Sequence, residues 1–309
     1  MGNRLFAYAL IIPIIISITA GISCSDTIRP AAVAGSFYPS SAFQLHRTIT
    51  TLLNNAPEYS ADGEIFAAMA PHAGYVYSGA VAACTFKQLA HIDFDTIVII
   101  GHEYPYENYV AFISPADYFE TPLGLVEVDR DMVKKMLKFN SRIRSSESIH
   151  SQDHSIEIQL PFLQVLGKKC KIVPIIFGNS TVKNCRIMAE AIIAAAGDKK
   201  VFVLSSTDLS HYPSYEDANK VDTSTLDVIK TMNVDNIFSH LNAQESKVSI
   251  SNLETAVCSR GGVGTAILFA KARGANQAQI LRYANSGDVS FGGKDSVVGY
   301  SSVLFIKTP

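Results

Sequence analysis

Several things are missing from this sequence, and each absence removes a class of function. Lysine and arginine are scattered, and a formal net charge of −2 leaves no basic stripe, so no nucleic-acid partner is expected. No internal repeat and no low-complexity linker interrupts the 309 residues, which argues against a solenoid or a string of domains. Closely spaced Cys/His pairs of the zinc-finger kind are absent, as are both common nucleotide-binding glycine fingerprints and the nucleophile-elbow motif of serine hydrolases. The 48% hydrophobic content is ample for one large core, and no break in composition marks a boundary.

The amino terminus reads as a leader. Arg4 precedes an apolar stretch from Leu5 to Ala20, followed by the small residues Gly21, Ser23 and Cys24. The stretch is short for a spanning helix, which needs about 20 apolar residues. Ser23-Cys24-Ser25 resembles a bacterial lipoprotein cleavage site, although Gly21 stands where an aliphatic residue is usual. Residues 1–24 are therefore expected to be a signal peptide or lipoprotein leader, and 25–309 the folded body. The corresponding location is the bacterial periplasm, with membrane attachment through an N-terminal lipid as one form. The cysteines at 84, 170 and 185 are expected to be inert packing residues.

Beyond residue 25, apolar runs alternate with amphipathic ones. Glu64 to His72, Thr96 to His102, Lys171 to Gly178 and Lys200 to Asp208 read as strands. Ser41 to Ala56, Ser78 to His91, Asp131 to Phe139, Ile156 to Leu166 and Val182 to Ala196 read as helices. This alternation predicts a single α/β domain with a central mixed β-sheet flanked by helices. Tyr109 to Ser114 and Leu123 to Asp129 are expected to form an antiparallel pair. A polar helical region from Tyr215 to Gln244, a helix from Gly261 to Ala272, and strands at Ile280 to Asn285 and Ser296 to Ile306 complete the chain.

Polar residues gather at the ends of these elements. His72 follows the first buried run, where open α/β sheets collect their ligands, and His102 follows the second. Asp208 and His211 leave the strand that ends near Ser206, and their spacing suits an acid/base pair in which the carboxylate orients the imidazole. Cys258 stands just before a glycine-rich helix start, where the helix terminus would lower its pKa and make it a ligand or nucleophile. Asp153 or Ser155 is expected to cap the helix that follows, with Glu157 in its first turn. Two histidines and a thiolate suit zinc, iron or copper and leave coordination positions open for substrate.

With these residues in hand, the chain resembles the Memo-like family, also called AmmeMemoRadiSam system protein B, a relative of class III extradiol dioxygenases. The likeness is carried by Arg29-Pro30-Ala31, Ala34-Gly35-Ser36-Phe37-Tyr38, Pro71-His72-Ala73-Gly74-Tyr75, Thr121-Pro122-Leu123-Gly124, His154-Ser155-Ile156-Glu157, Ser206-Thr207-Asp208-Leu209-Ser210-His211-Tyr212 and Tyr283-Ala284-Asn285-Ser286-Gly287-Asp288. The resemblance implies a dioxygenase-like fold with one metal site. In it His72 and Cys258 would be metal ligands, His211 the acid/base, and Asp208 and His154 lining residues of the same cavity. It also implies partners among AMMECR1-like and radical SAM proteins. Where the family reads Gly-Pro-Ser/Asn-His, this chain has Gly101-His102-Glu103-Tyr104, which puts Tyr104 at the ligand position and His102 two residues early. In extended backbone that offset is about 6 to 7 Å. Either the loop is rebuilt to bring His102 in, or Tyr104 replaces it, or metal binding is lost. Two functions compete: an iron- or copper-dependent non-haem oxidoreductase, and a non-catalytic protein that binds a metal, a small molecule or a peptide in the same cleft. Serine hydrolysis through Ser155, Ser206 or Ser210 ranks last.

Overall fold

The computed structural model describes residues 26–61, 63–247 and 250–309. The leader-like residues 1–24 lie outside these. Among the described residues no helix is long and apolar enough to cross a membrane.

The elements follow one another as β1 (Ile28–Arg29), α1 (Ala42–Asn55), β2 (Glu64–Ala70), α2 (Tyr75–Leu89), β3 (Thr96–Glu103), β4 (Ala111–Ile113), β5 (Tyr118–Thr121), β6 (Gly124–Glu127), α3 (Arg130–Phe139), β7 (Ile143–Ser145), α4 (Glu147–Ser151), α5 (Leu160–Val165), β8 (Lys171–Phe177), α6 (Val182–Ala196), β9 (Val201–Ser206), α7 (Tyr215–Lys230), α8 (Val234–Glu245), α9 (Arg260–Ala272), β10 (Gln277–Asn285) and β11 (Gly299–Lys307). The expected α/β domain with a mixed central sheet is present. Eight strands run in the order β10-β11-β2-β9-β3-β8-β4-β7, and a small sheet β1-β5-β6 stands beside them.

Burial explains the order. Ile97, Val98, Ile99 and Ile100 are wholly buried, as are Ala67 to Ala70 and Val203 to Leu204, so β2, β9 and β3 are covered on both faces and pair in parallel. Each large aliphatic side chain buried this way stabilises the fold by about 1.5 to 3 kcal/mol. The antiparallel strands β10, β11 and β4 lie toward the outside. Helix starts follow local chemistry: Ser41, Thr181, Ser214 and Asn233 each accept a backbone N–H of the first turn through the side chain.

Three expectations need correction. Tyr109 to Ser114 and Leu123 to Asp129 do not pair: β4 joins β8 and β7 in the large sheet, whereas β6 pairs with β5 in the small one. The turn at Pro122–Gly124 joins β6 to the nearer strand Tyr118–Thr121, which the sequence reading overlooked. The helix expected from Ile156 to Leu166 opens as a 3-10 turn at Glu157–Gln159, and Glu157 stands in that first turn buried in an ion pair with Arg29. The polar region from Tyr215 is two helices, broken at Met232 with its positive φ.

Because β9 lies between β2 and β3, the carboxyl ends of three parallel strands meet at one place. Ala70 is level with Ser206, and Ile100 with Ser205. Residues just past those ends project over the same spot, at the carboxyl edge where α/β sheets place their sites.

Candidate metal centre

His72 leaves β2 with 1% of its surface exposed. Its N–H donates to Asp208 Oδ1 at 2.8 Å, which fixes the backbone. The ring's Nδ1 lies 3.3 Å from Ser206 Oγ. The Ser206 hydroxyl spends its own proton on Ser155 O and accepts from Gln159 Nε2 at 2.7 Å, so toward His72 it can only accept. The imidazole therefore carries its proton on Nδ1, and Nε2 is the basic nitrogen. It faces Cys258 Sγ at 3.2 Å.

His102 arrives by a different route. Between Ile100 and Glu103 the pairing of β3 with β8 slips: Ile100 faces Ile175 and Glu103 faces Phe177, so β3 holds one residue more than its partner. This is a β-bulge, which re-aims the side chains at a strand end. It turns His102 over the sheet edge, its ring 4.4 Å from that of His72 and 4.6 Å from that of His154. Tyr104 is left outside, 37% exposed, with its N–H on Phe177 O and its ring 6.3 Å from that of His102. The bulged loop brings His102 to the cluster, and Tyr104 is not brought there.

Cys258 is delivered by the start of α9. The glycines there serve close approach to the sheet: a Cβ on Gly262 would lie 2.7 Å from Ser205 Oγ, and one on Gly261 would lie 2.6 Å from the Phe177 ring. Ser259 bonds Gly101 O with its hydroxyl, tying the helix start to the bulge. Asp208 N donates to Cys258 Sγ at 3.2 Å. The expected lowering of the thiol by the helix terminus is not found. Burial and the neighbouring Asp208 push Cys258 well above the ordinary thiol range. The other described cysteines, Cys84, Cys170 and Cys185, are free thiols.

His72, His102 and Cys258 bring their donor atoms within 4.8 Å of one another, and they form the one such group of histidine, cysteine or acidic residues among those described. Around them stand the remaining expected residues. His154 packs against Phe37 at 4.5 Å and lies 5.5 Å from His72, ring to ring. His211 has a buried Nε2 with no hydrogen-bond partner. Burial and the nearby His102 lower both His154 and His211 to about 4, so each is a neutral imidazole. Asp208 is raised to about 7 by burial, against the opposing pull of the His72 N–H. Its carboxylate is engaged with His72 (Oδ2 lies 3.9 Å from Nε2), so the expected Asp208–His211 pair is not formed. His211 is held instead through its backbone, its N–H on Thr255 O.

The sequence does not reveal the roles of two groups. Gln159 and Ser206 together set the His72 tautomer, but a glutamine two residues into a helix carries no signal that it will reach another strand's end. Glu157, expected in the first turn of a helix, is a buried anchor. It accepts from Arg29, Ala32 N, Val33 N and Tyr38 Oη, and clasps the segment 29–38 onto the loop bearing His154.

A family profile described as Memo-like protein matches residues 29–304. The chain belongs to the Memo family. Its α/β domain is the fold that this family shares with class III extradiol dioxygenases. Similar proteins include the MEMO1 family protein of Methanobrevibacter smithii, 35% identical over 295 residues, covering 90% of this chain and 99% of the relative. That of Archaeoglobus fulgidus is 34% identical over 280 residues, covering 90% and 99%. That of Nitrosopumilus maritimus is 31% identical over 285 residues, covering 90% and 100%.

These comparisons correct the reading of the leader. The family match opens at Arg29, and essentially the whole length of each archaeal relative is accounted for by about nine-tenths of this chain. The relatives offer no counterpart to a signal peptide or lipoprotein leader. The expectation of an exported, periplasmic or lipid-anchored protein is therefore not supported and is dropped.

Proposed function

We propose that this Memo family protein holds one iron or copper ion through His72, His102 and Cys258 and carries out redox chemistry on a small molecule in the cleft above them. One observation supports the reading before all others: two imidazoles and a thiol converge within 4.8 Å at the end of a parallel sheet. The donor chemistry fits. Three borderline-to-soft ligands suit a late first-row metal and leave positions open, and the His72 tautomer directs a lone pair inward. Iron or copper bound there supplies one-electron chemistry that no side chain can.

The chain's own residues take the remaining tasks. Cys258, a neutral thiol when alone, must give up its proton for ligation, so metal uptake releases a proton. His211, neutral and with its Nε2 unengaged, can take up a proton at that atom. Phe37 packs on His154 beside the cluster. A second reading, a protein that binds metal or ligand without turnover, draws on the commitment of Asp208 to His72, which leaves His211 without an orienting carboxylate.

Anaerobic loading of the purified protein with Fe(II) or Cu(I), followed by elemental analysis, tests the centre. About one equivalent is expected in the wild type and none in His72→Ala or Cys258→Ala. A wild type that retains no metal under these conditions refutes the proposal.

A further inference from the structure

His102 stands two residues from where the family pattern puts its second histidine, so something particular to this loop must hold its ring. We propose that Asp153 is the positioning residue: its carboxylate accepts the His102 Nδ1 proton and thereby fixes the ring with Nε2 directed into the cluster. The inference rests on the metal reading and extends it to a group that reaches the ion only through another residue.

The evidence is geometric. Asp153 is 3% exposed, and its two oxygens have different environments. Oδ1 accepts from Ser155 Oγ at 2.8 Å and from Ile156 N at 3.2 Å. Oδ2 is buried with no conventional hydrogen-bond partner, yet His102 Nδ1 lies 3.3 Å away. A buried carboxylate oxygen without a donor is costly, and the imidazole is the group placed to relieve it. With the proton on Nδ1, Nε2 becomes the basic nitrogen of His102, as it is in His72. Carboxylate–histidine pairs of this kind orient metal ligands and raise their basicity.

The same short loop grips the backbone as well. Ser155 Oγ, while donating to Asp153, accepts from His102 N at 2.9 Å. Arg29 donates to Asp153 O and pairs with Glu157, so the loop that holds His102 is itself anchored by a buried ion pair. His102 is thus held at ring and backbone by residues 153 and 155, which fix the position that the bulge gives it.

The test uses the full chain, titrated with Co(II) against a competing chelator, together with 15N-detected tautomer assignment of the His102 ring in the metal-free protein. The wild type is expected to show the Nδ1–H tautomer and a thiolate–Co(II) charge-transfer band. Asp153→Asn keeps the shape but can offer an N–H to Nδ1, which selects the wrong tautomer. Its Co(II) affinity should fall 10- to 100-fold, with the Nε2–H form populated and the thermal midpoint little changed. Affinity within threefold of wild type overturns the role of Asp153 alone. A wild type with His102 in the Nε2–H form overturns it without recourse to any variant, so failure of Asp153→Asn to fold would not shelter the proposal. Absence of Co(II) binding by the wild type overturns the metal centre and this role with it.

Discussion

Substituting Gly101 by alanine is the sharpest probe of how the bulge and the cluster depend on each other. A Cβ at this position would meet Ser155 Oγ at 2.0 Å, with Ser155 Cβ and Ile156 Cγ1 each at 3.1 Å. The hydroxyl cannot stay where it is, and rotating it away breaks two contacts at once. His102 N loses its acceptor, leaving a part-buried donor unsatisfied at a cost of about 1 to 3 kcal/mol. Asp153 loses a hydrogen bond to a charged acceptor, worth about 1.5 to 3 kcal/mol. Gly101→Ala should therefore destabilise by about 2.5 to 6 kcal/mol, a large share of the 5 to 15 kcal/mol typical of a folded protein. Urea unfolding of wild type, Gly101→Ala, Ser155→Ala and the double variant measures it. Since both single changes remove the same hydroxyl contacts, the double variant should cost clearly less than the two added together. A Gly101→Ala loss below about 0.5 kcal/mol, or strict additivity of the pair, would refute the reasoning.

Two further outcomes follow from buried charges. Glu157→Gln leaves the Arg29 guanidinium without its countercharge in a buried site and should cost about 3 to 5 kcal/mol; a thermal midpoint within about 2 °C of wild type would contradict this. Asp222 is fully buried, accepts from Tyr283 Oη and Ser210 N, and is raised by burial to about 7. Between the unfolded carboxylate value near 4 and about 7 the folded state holds the proton while the unfolded state releases it, so this group's contribution to stability falls as pH rises through that window. Asp222→Asn removes the slope: measured by urea unfolding at pH 4.5 and pH 7, the variant should gain on wild type by about 3 kcal/mol at the higher pH, and a difference that does not change with pH would be the contrary result.

The parallel core was legible because its strands are apolar on both faces. Thr96–Glu103 and Lys171–Phe177 stand within a residue of the bounds that their apolar runs predict. The short strands Tyr118–Thr121 and Ile143–Ser145 were not, since three or four residues carry too little periodicity to separate from a loop. At the cluster, His72 and Cys258 could be singled out by position, each just outside a buried element. The fate of His102 could not be read, because a bulge is a property of pairing with β8 and leaves no local mark. The thiol's pKa was misjudged for a similar reason: the helix terminus is visible in sequence, but the burial that outweighs it is not.

The separation of the three donors along the chain bears on how the protein reaches its folded state. His72 and Cys258 are 186 residues apart, yet their side chains touch. The strands beneath them, β2 and β9, pair in parallel across more than 130 residues. Closing loops of that size precedes any reward from the contacts they permit, so such pairings form slowly and late. No chain that ends before Cys258 carries all three donors. On the metal reading proposed above, selection of the ion would be deferred to the finished fold, whose stability bound metal would raise in proportion to the logarithm of its free concentration over Kd.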